Sequence, residues 1–145
     1  DEKTIKVITF NPDGKQRSTT SMRLARDIQD SPSYTLCLRF NIWVFRLYNA
    51  MIYLQNIIDA DINPISFETY FQKIRTKYGG FGKFYEMPIN FAAEKWYHYC
   101  QTRDAATLQG RVYLDGQLLV EEPLIAIPDP ATVKVIIGQD WNRVC

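Results

Sequence analysis

Trp96-Tyr97-His98-Tyr99-Cys100-Gln101-Thr102, Gly110-Arg111-Val112-Tyr113-Leu114-Asp115-Gly116-Gln117-Leu118-Leu119-Val120 and Val133-Lys134-Val135-Ile136-Ile137-Gly138-Gln139-Asp140 decide the fold class. Asp115-Gly116 lies between two β-prone runs, and Asp-Gly is the dipeptide that a two-residue type I′ hairpin requires. Both central residues must take positive φ, which glycine reaches freely and aspartate tolerates. Closing the hairpin there pairs Leu114 with Gln117, Tyr113 with Leu118 and Val112 with Leu119. Both faces of that ribbon are then apolar, so the sequence places it inside a covered sheet, not at a bare edge. In the third run Val133, Val135 and Ile137 alternate with Thr132 and Lys134, the period of a half-buried strand. Gly138 ends it, and Gln139-Asp140-Trp141-Asn142 follows as a polar loop. Three consecutive strands make this an antiparallel, all-β domain.

Outward from this stretch the same periodicity recurs. Residues 3–10 form a first strand, and Asn11-Pro12-Asp13-Gly14 a turn in which Pro fixes φ and Gly releases it. Residues 18–26 alternate as a strand. Leu36, Leu38, Phe40, Ile42 and Val44 share one face of a long strand, and residues 51–55 continue as another. Asp59-Ala60-Asp61-Ile62-Asn63-Pro64 is a loop rich in oxygen ligands. Ile65, Phe67, Thr69 and Phe71 give residues 65–73 the period of a strand, strengthened by their aromatics. Tyr78-Gly79-Gly80-Phe81-Gly82 is a turn and not a phosphate loop, because no Lys-Ser/Thr pair follows it. Nothing resembling a linker divides residues 1–145, so the reading is one domain.

Composition narrows the function classes. The chain has 145 residues, 46% of them hydrophobic and 14% aromatic, which suits a single packed core. Seventeen basic residues against sixteen acidic ones leave a net charge of +1, which argues against a nucleic-acid partner. Lys73, Arg75 and Lys77 read as a solvated strand face. No apolar run approaches the roughly 18 residues of a membrane span. Asp1-Glu2-Lys3 has no signal-peptide character, as in a mature or trimmed product. Three cysteines, Cys37, Cys100 and Cys145, allow three single bridges, and two buried thiols are the alternative to any bridge. For catalysis the residues offer little. His98 is the single histidine and reads as a buried structural one. Glu121 and Glu122 are strand neighbours pointing to opposite faces, unlike the facing carboxylates of a glycosidase. The expectation is a protein that is not an enzyme. Trp141, an indole in a polar loop, is a candidate ligand-binding residue because it can stack on a sugar or a cationic head group.

His98-Tyr99-Cys100-Gln101-Thr102 resembles the pentraxin signature, in which His, Cys and Ser/Thr alternate along a strand. Cys37-Leu38-Arg39-Phe40, Val112-Tyr113-Leu114-Asp115-Gly116 and Ile136-Ile137-Gly138-Gln139-Asp140 are similar to further landmarks of that family, in family order, over residues 34–142. The signature's Trp is replaced by Arg103. The resemblance implies an antiparallel two-sheet jelly-roll sandwich of the concanavalin/pentraxin type. It implies a Cys37–Cys100 disulfide, read as joining the two sheets and contributing roughly 4 kcal/mol. Cys145 is left for an interchain bridge or an absent partner. The resemblance points to calcium as cofactor, with Asp140 at the family's Glu position and Asn142 at its Asp position. Asp61 and Asn63 stand for the adjacent Asp-Asn pair, here split by Ile62. Weak or no affinity is expected, because neutral amides replace stronger ligands; the alternative is that these loops are ordinary solvated turns. Such domains run further than this chain, so it is expected to lack C-terminal strands. The implied function is secreted, extracellular binding of a glycan, a phosphorylated head group or a protein partner, with homo-oligomeric or larger assembly. The rival reading is a structural or adhesion module with no small ligand.

Overall fold

In a computed structural model the described residues are 22–23, 25–43, 48–56, 65–77, 85–87, 89–124, 127 and 131–138. They form eleven strands and no helix: β1 Met22–Arg23, β2 Ile28–Gln29, β3 Tyr34–Asn41, β4 Tyr48–Asn56, β5 Ile65–Tyr70, β6 Lys73–Lys77, β7 Tyr85–Glu86, β8 Trp96–Asp104, β9 Gln109–Leu114, β10 Gln117–Pro123 and β11 Thr132–Ile137. One antiparallel sheet runs β1-β11-β4-β5-β6-β7, with β2 also pairing β11, and the other runs β10-β9-β8-β3. The expected first strand at residues 3–10 and the glycine-rich turn at residues 78–82 lie outside the described residues.

The two sheets pack face to face. Alternation aims Phe40, Tyr97, Tyr99, Val112 and Leu114 from the smaller sheet at Ile52, Leu54, Phe67, Ile74, Val133 and Val135 from the larger, all buried. Phe67 stacks on Tyr99 with ring centroids 4.0 Å apart, and Phe40 lies 5.3 Å from Phe67. Each such ring contributes roughly 1.5–3 kcal/mol of burial. On the other face of β5, Ser66 and Glu68 are buried as well.

Several expectations are corrected here. The third run of the opening stretch, β11, does not pair with the hairpin but lies in the opposite sheet beside β4. The hairpin is at the sheet edge, and Leu118 on its outer face is 51% exposed. Asp115 and Gly116 do take positive φ, 49° and 83°, and Leu114–Gln117 and Tyr113–Leu118 pair as expected. Val112 then faces Val120 and not Leu119, because a bulge intervenes. The bulge lets consecutive Leu119 and Val120 both pack on the core, and it aligns Arg111 with Glu121, which form an ion pair. The strand expected over residues 65–73 is two strands, broken by a turn at Phe71-Gln72. The shared face of Leu36, Leu38, Phe40 and Ile42 holds, but β3 ends at Asn41.

Candidate functional site

Three features of the sandwich carry polar or reactive chemistry, and β8 supplies two of them. Its inner face reads Tyr97, Tyr99, Gln101, Arg103, becoming polar toward one end. Gln101 joins the sheets: its Oε1 accepts from Thr76 Oγ1 and from Tyr99 OH, both at 2.6 Å. Its Nε2 donates to Tyr34 OH at 2.7 Å and to the Lys77 carbonyl at 3.2 Å. A buried amide has four such sites and here all are used, so the group is a specifier of sheet registration. Burial pushes the Tyr34 phenol well above its ordinary range, although the Gln101 hydrogen bond and the Arg103 charge pull the other way.

Arg103 is 2% exposed. Its Nε donates to the Pro32 carbonyl at 2.9 Å, and its Nη2 to Asp30 Oδ2 at 2.9 Å and to the Ser31 carbonyl. The guanidinium lies 4.9 Å from the Tyr34 ring centroid. Asp30 is itself buried and accepts from Ser31 N at 2.8 Å, while its own N–H reaches the Ala131 carbonyl at 2.8 Å. The residue that departs from the signature thus ties the β2–β3 connection to β8. Sequence reading missed this pair, since neither partner is unusual alone and they stand 73 positions apart.

The outer face of β8 carries His98 and Cys100, as their two-residue spacing requires. Cys37 and Cys100 are bonded, so the expected disulfide is present. Its placement is corrected: the cysteines face each other on neighbouring strands β3 and β8 of one sheet, with Cα atoms 4.1 Å apart, and do not join the two sheets. His98 is corrected likewise, being half-buried on the outer face, with Nε2 3.6 Å from Cys100 Sγ. Asp115 holds this end of the strand, accepting from His98 N at 2.8 Å through Oδ1 and donating its own N–H to the His98 carbonyl.

The third feature is a shallow cavity of about 530 Å³ where β5 turns into β6, lined by Tyr70, Phe71, Gln72, Lys73, Glu86 and Asn90. Tyr70 pairs with Lys73, so Phe71-Gln72 is a two-residue loop. Phe71 has φ 53°, the position where a II′ hairpin normally places glycine. The residue is 56% exposed and its ring lies edge-on to Tyr70, with centroids 4.8 Å apart. Lys73 and Glu86 form an ion pair of 3.0 Å on the rim. No turn-forming residue marks Phe71-Gln72 in the sequence, so the periodicity ran through it unbroken.

Asp61, Asn63, Asp140, Trp141 and Asn142 lie outside the described residues, as does Cys145. Among the described residues one group of three His, Cys, Asp or Glu side chains converges, Cys37, His98 and Cys100. Its sulfur and imidazole donors do not suit calcium, which takes carboxylate and carbonyl oxygens. Among the described residues no helix is long and apolar enough to cross a membrane.

No family model and no curated protein matches the chain. Solved structures do. A heptameric pentraxin from Limulus polyphemus, described as SAP-like, aligns with TM-score 0.68 and 17% identity over 86% of this chain and 59% of that one. The CBM40 of the Ruminococcus gnavus IT-sialidase, bound to α2,3-sialyllactose, aligns with TM-score 0.62 and 11% identity over 73% of this chain and 63% of that one. An alginate lyase of polysaccharide lyase family 7 aligns with TM-score 0.56 and 9% identity over 87% of this chain and 59% of that one. The chain therefore has the pentraxin-like jelly-roll sandwich fold and spans about three-fifths of the pentraxin's length. Binding modules and an enzyme share this fold, so function must be argued from the site.

Proposed function

We propose that this chain is a non-catalytic, extracellular recognition module that binds a glycan in the cavity at the β5–β6 turn. The observation that carries the reading is Phe71. A bulky residue held in the left-handed region costs of order 1–3 kcal/mol, and such strain persists where a site uses the side chain. Here it presents an exposed ring beside Tyr70, the Gln72 and Asn90 amides and the Lys73–Glu86 pair. An apolar ring face flanked by amides and charges is the chemistry that holds a pyranose, one face stacked and the hydroxyls hydrogen-bonded. The likeness to a sialyllactose-bound CBM40 supports a sugar ligand, and the disulfide supports an extracellular setting.

A glycan array probed with the chain, Phe71→Ala and Phe71→Gly tests this. Glycine relieves the φ strain that alanine keeps, so Phe71→Gly is expected to be more stable than Phe71→Ala by roughly 1 kcal/mol. Both variants are expected to lose about tenfold or more in affinity for the glycans retained, a change of about 1.4 kcal/mol. Stability then separates the two variants while loss of binding does not. Unchanged binding in both variants, or no glycan retained by the parent chain, refutes the reading. Running the array with calcium and with a chelator reads whether the oxygen-rich residues Asp61, Asn63, Asp140 and Asn142 contribute.

A second reading, an assembly module without a small ligand, is favoured by Trp43 and Trp96. They are 63% and 52% exposed at one end of the smaller sheet, where Glu94 N bonds the Ile42 carbonyl. Light scattering that gives a discrete oligomer, dispersed to monomers by Trp96→Ala, places this reading ahead.

A further inference from the structure

We propose that Cys37, Cys100 and His98 form a redox-gated site for a thiophilic divalent metal ion, zinc being the fitting one: closed while the disulfide stands, open when it is reduced. The three donor atoms lie within 4.8 Å of one another on the outer face of the smaller sheet. Cys37 is exposed and His98 and Cys100 are half-buried, so an ion reaches them without unfolding. One of the three donor separations already matches that of a bound ion. Zn–S and Zn–N bonds of about 2.3 and 2.0–2.1 Å at a tetrahedral angle put sulfur and nitrogen about 3.6 Å apart. His98 Nε2 stands 3.6 Å from Cys100 Sγ. The Cys37 sulfur must part from its partner to about 3.8 Å for the same tetrahedron, which side-chain rotation on an exposed strand face supplies. Two thiolates and an imidazole leave the fourth position for water.

Two features of the fold hold the donors in place. Cys37 faces Cys100 and Arg39 faces His98 along the β3–β8 ladder, whose backbone hydrogen bonds do not depend on the disulfide. Asp115 holds the His98 backbone by two hydrogen bonds, one accepted by its side chain and one donated by its own N–H. Arg39 is exposed on the same face, opposite His98 in the ladder. The chemistry balances with a dithiol as reductant. Its two thiols give two electrons and two protons to the disulfide and themselves become a disulfide, leaving Cys37 and Cys100 as thiols. Zinc then displaces those two protons to solvent and forms two Zn–S bonds and one Zn–N bond to neutral His98.

The test uses the whole chain carrying Cys145→Ser, so that only the cluster supplies thiols. Oxidised and dithiol-reduced samples are titrated with Co²⁺ as a spectroscopic stand-in and then with Zn²⁺ against a chromophoric chelator. The reduced chain is expected to take up one ion, with thiolate charge-transfer absorption and an unchanged strand circular-dichroism spectrum. The oxidised chain is expected to take up none. His98→Ala is expected to weaken binding at least about tenfold, the lower end of what even outer-shell partners contribute, and Cys37→Ser to lower the charge-transfer absorption to at most that of a single Co–S bond. Loss of the strand spectrum on reduction overturns the proposal. So does an absence of uptake, equal uptake by the oxidised chain, or equal affinity in His98→Ala.

Discussion

A guanidinium taken out of water stays charged, so Arg103 has to be neutralised where it lies, and Asp30 is placed to do so. Both side chains are almost wholly buried, which makes the pair strongly interdependent. Replacing Arg103 alone by Met strands the Asp30 carboxylate and two backbone carbonyls, at an expected cost of about 3–5 kcal/mol in urea unfolding. In the double variant Arg103→Met with Asp30→Asn the buried charge is gone, and the loss is expected to fall well short of the sum of the singles. Additive losses would show that the two residues act independently. The pair is invisible along the sequence and appears only when positions 30 and 103 meet in space. Gln101 was equally hidden, because an amide on the inner face of a strand looks like a break in the apolar pattern until Thr76, Tyr99 and Tyr34 are seen around it.

The two tight hairpins show where local sequence decides an element and where it does not. At Asp115-Gly116 the residues state the turn, and a Cβ on Gly116 would meet nothing within 4 Å. Gly116→Ala therefore isolates the backbone term: at φ 83° it is expected to cost roughly 1–2 kcal/mol with no packing contribution. Thermal unfolding measures it, and a change below a few tenths would mean that the turn relaxes to another type. At Phe71-Gln72 the residues argue against a turn, and tertiary pairing of β5 with β6 and of β6 with β7 imposes it. Periodicity reads residues correctly into strands, as for Val133, Val135 and Ile137, but carries no stop signal where an aromatic occupies a glycine position. The bulge that shifts Val120 opposite Val112 was likewise illegible, since only the core decides that Leu119 and Val120 both turn inward.

At the scale of the molecule, strand content and antiparallel character followed from alternation, but sheet membership did not. β9 and β10 are neighbours through a local turn, whereas β11 crosses to the other layer to pair with β4 and β1, a choice made by contacts distant in sequence. The same gap explains the disulfide's placement: the resemblance supplied the pair, not whether it spans one layer or two. The one-layer answer has a measurable consequence. A bridge closing a separation of 63 residues constrains the unfolded chain by about 4 kcal/mol on the entropic model. In the folded chain the β3–β8 ladder holds the two strands together without it. Cys37→Ser with Cys100→Ser is thus expected to lower the unfolding free energy by about 2–4 kcal/mol and to steepen its denaturant dependence, because the freed unfolded chain exposes more surface. The strand circular dichroism and the environment of core residues Tyr97 and Tyr99 are expected to stay native. A double variant whose tyrosine signals collapse without denaturant would mean that the bridge, and not the ladder and the aromatic core, holds the layers in register.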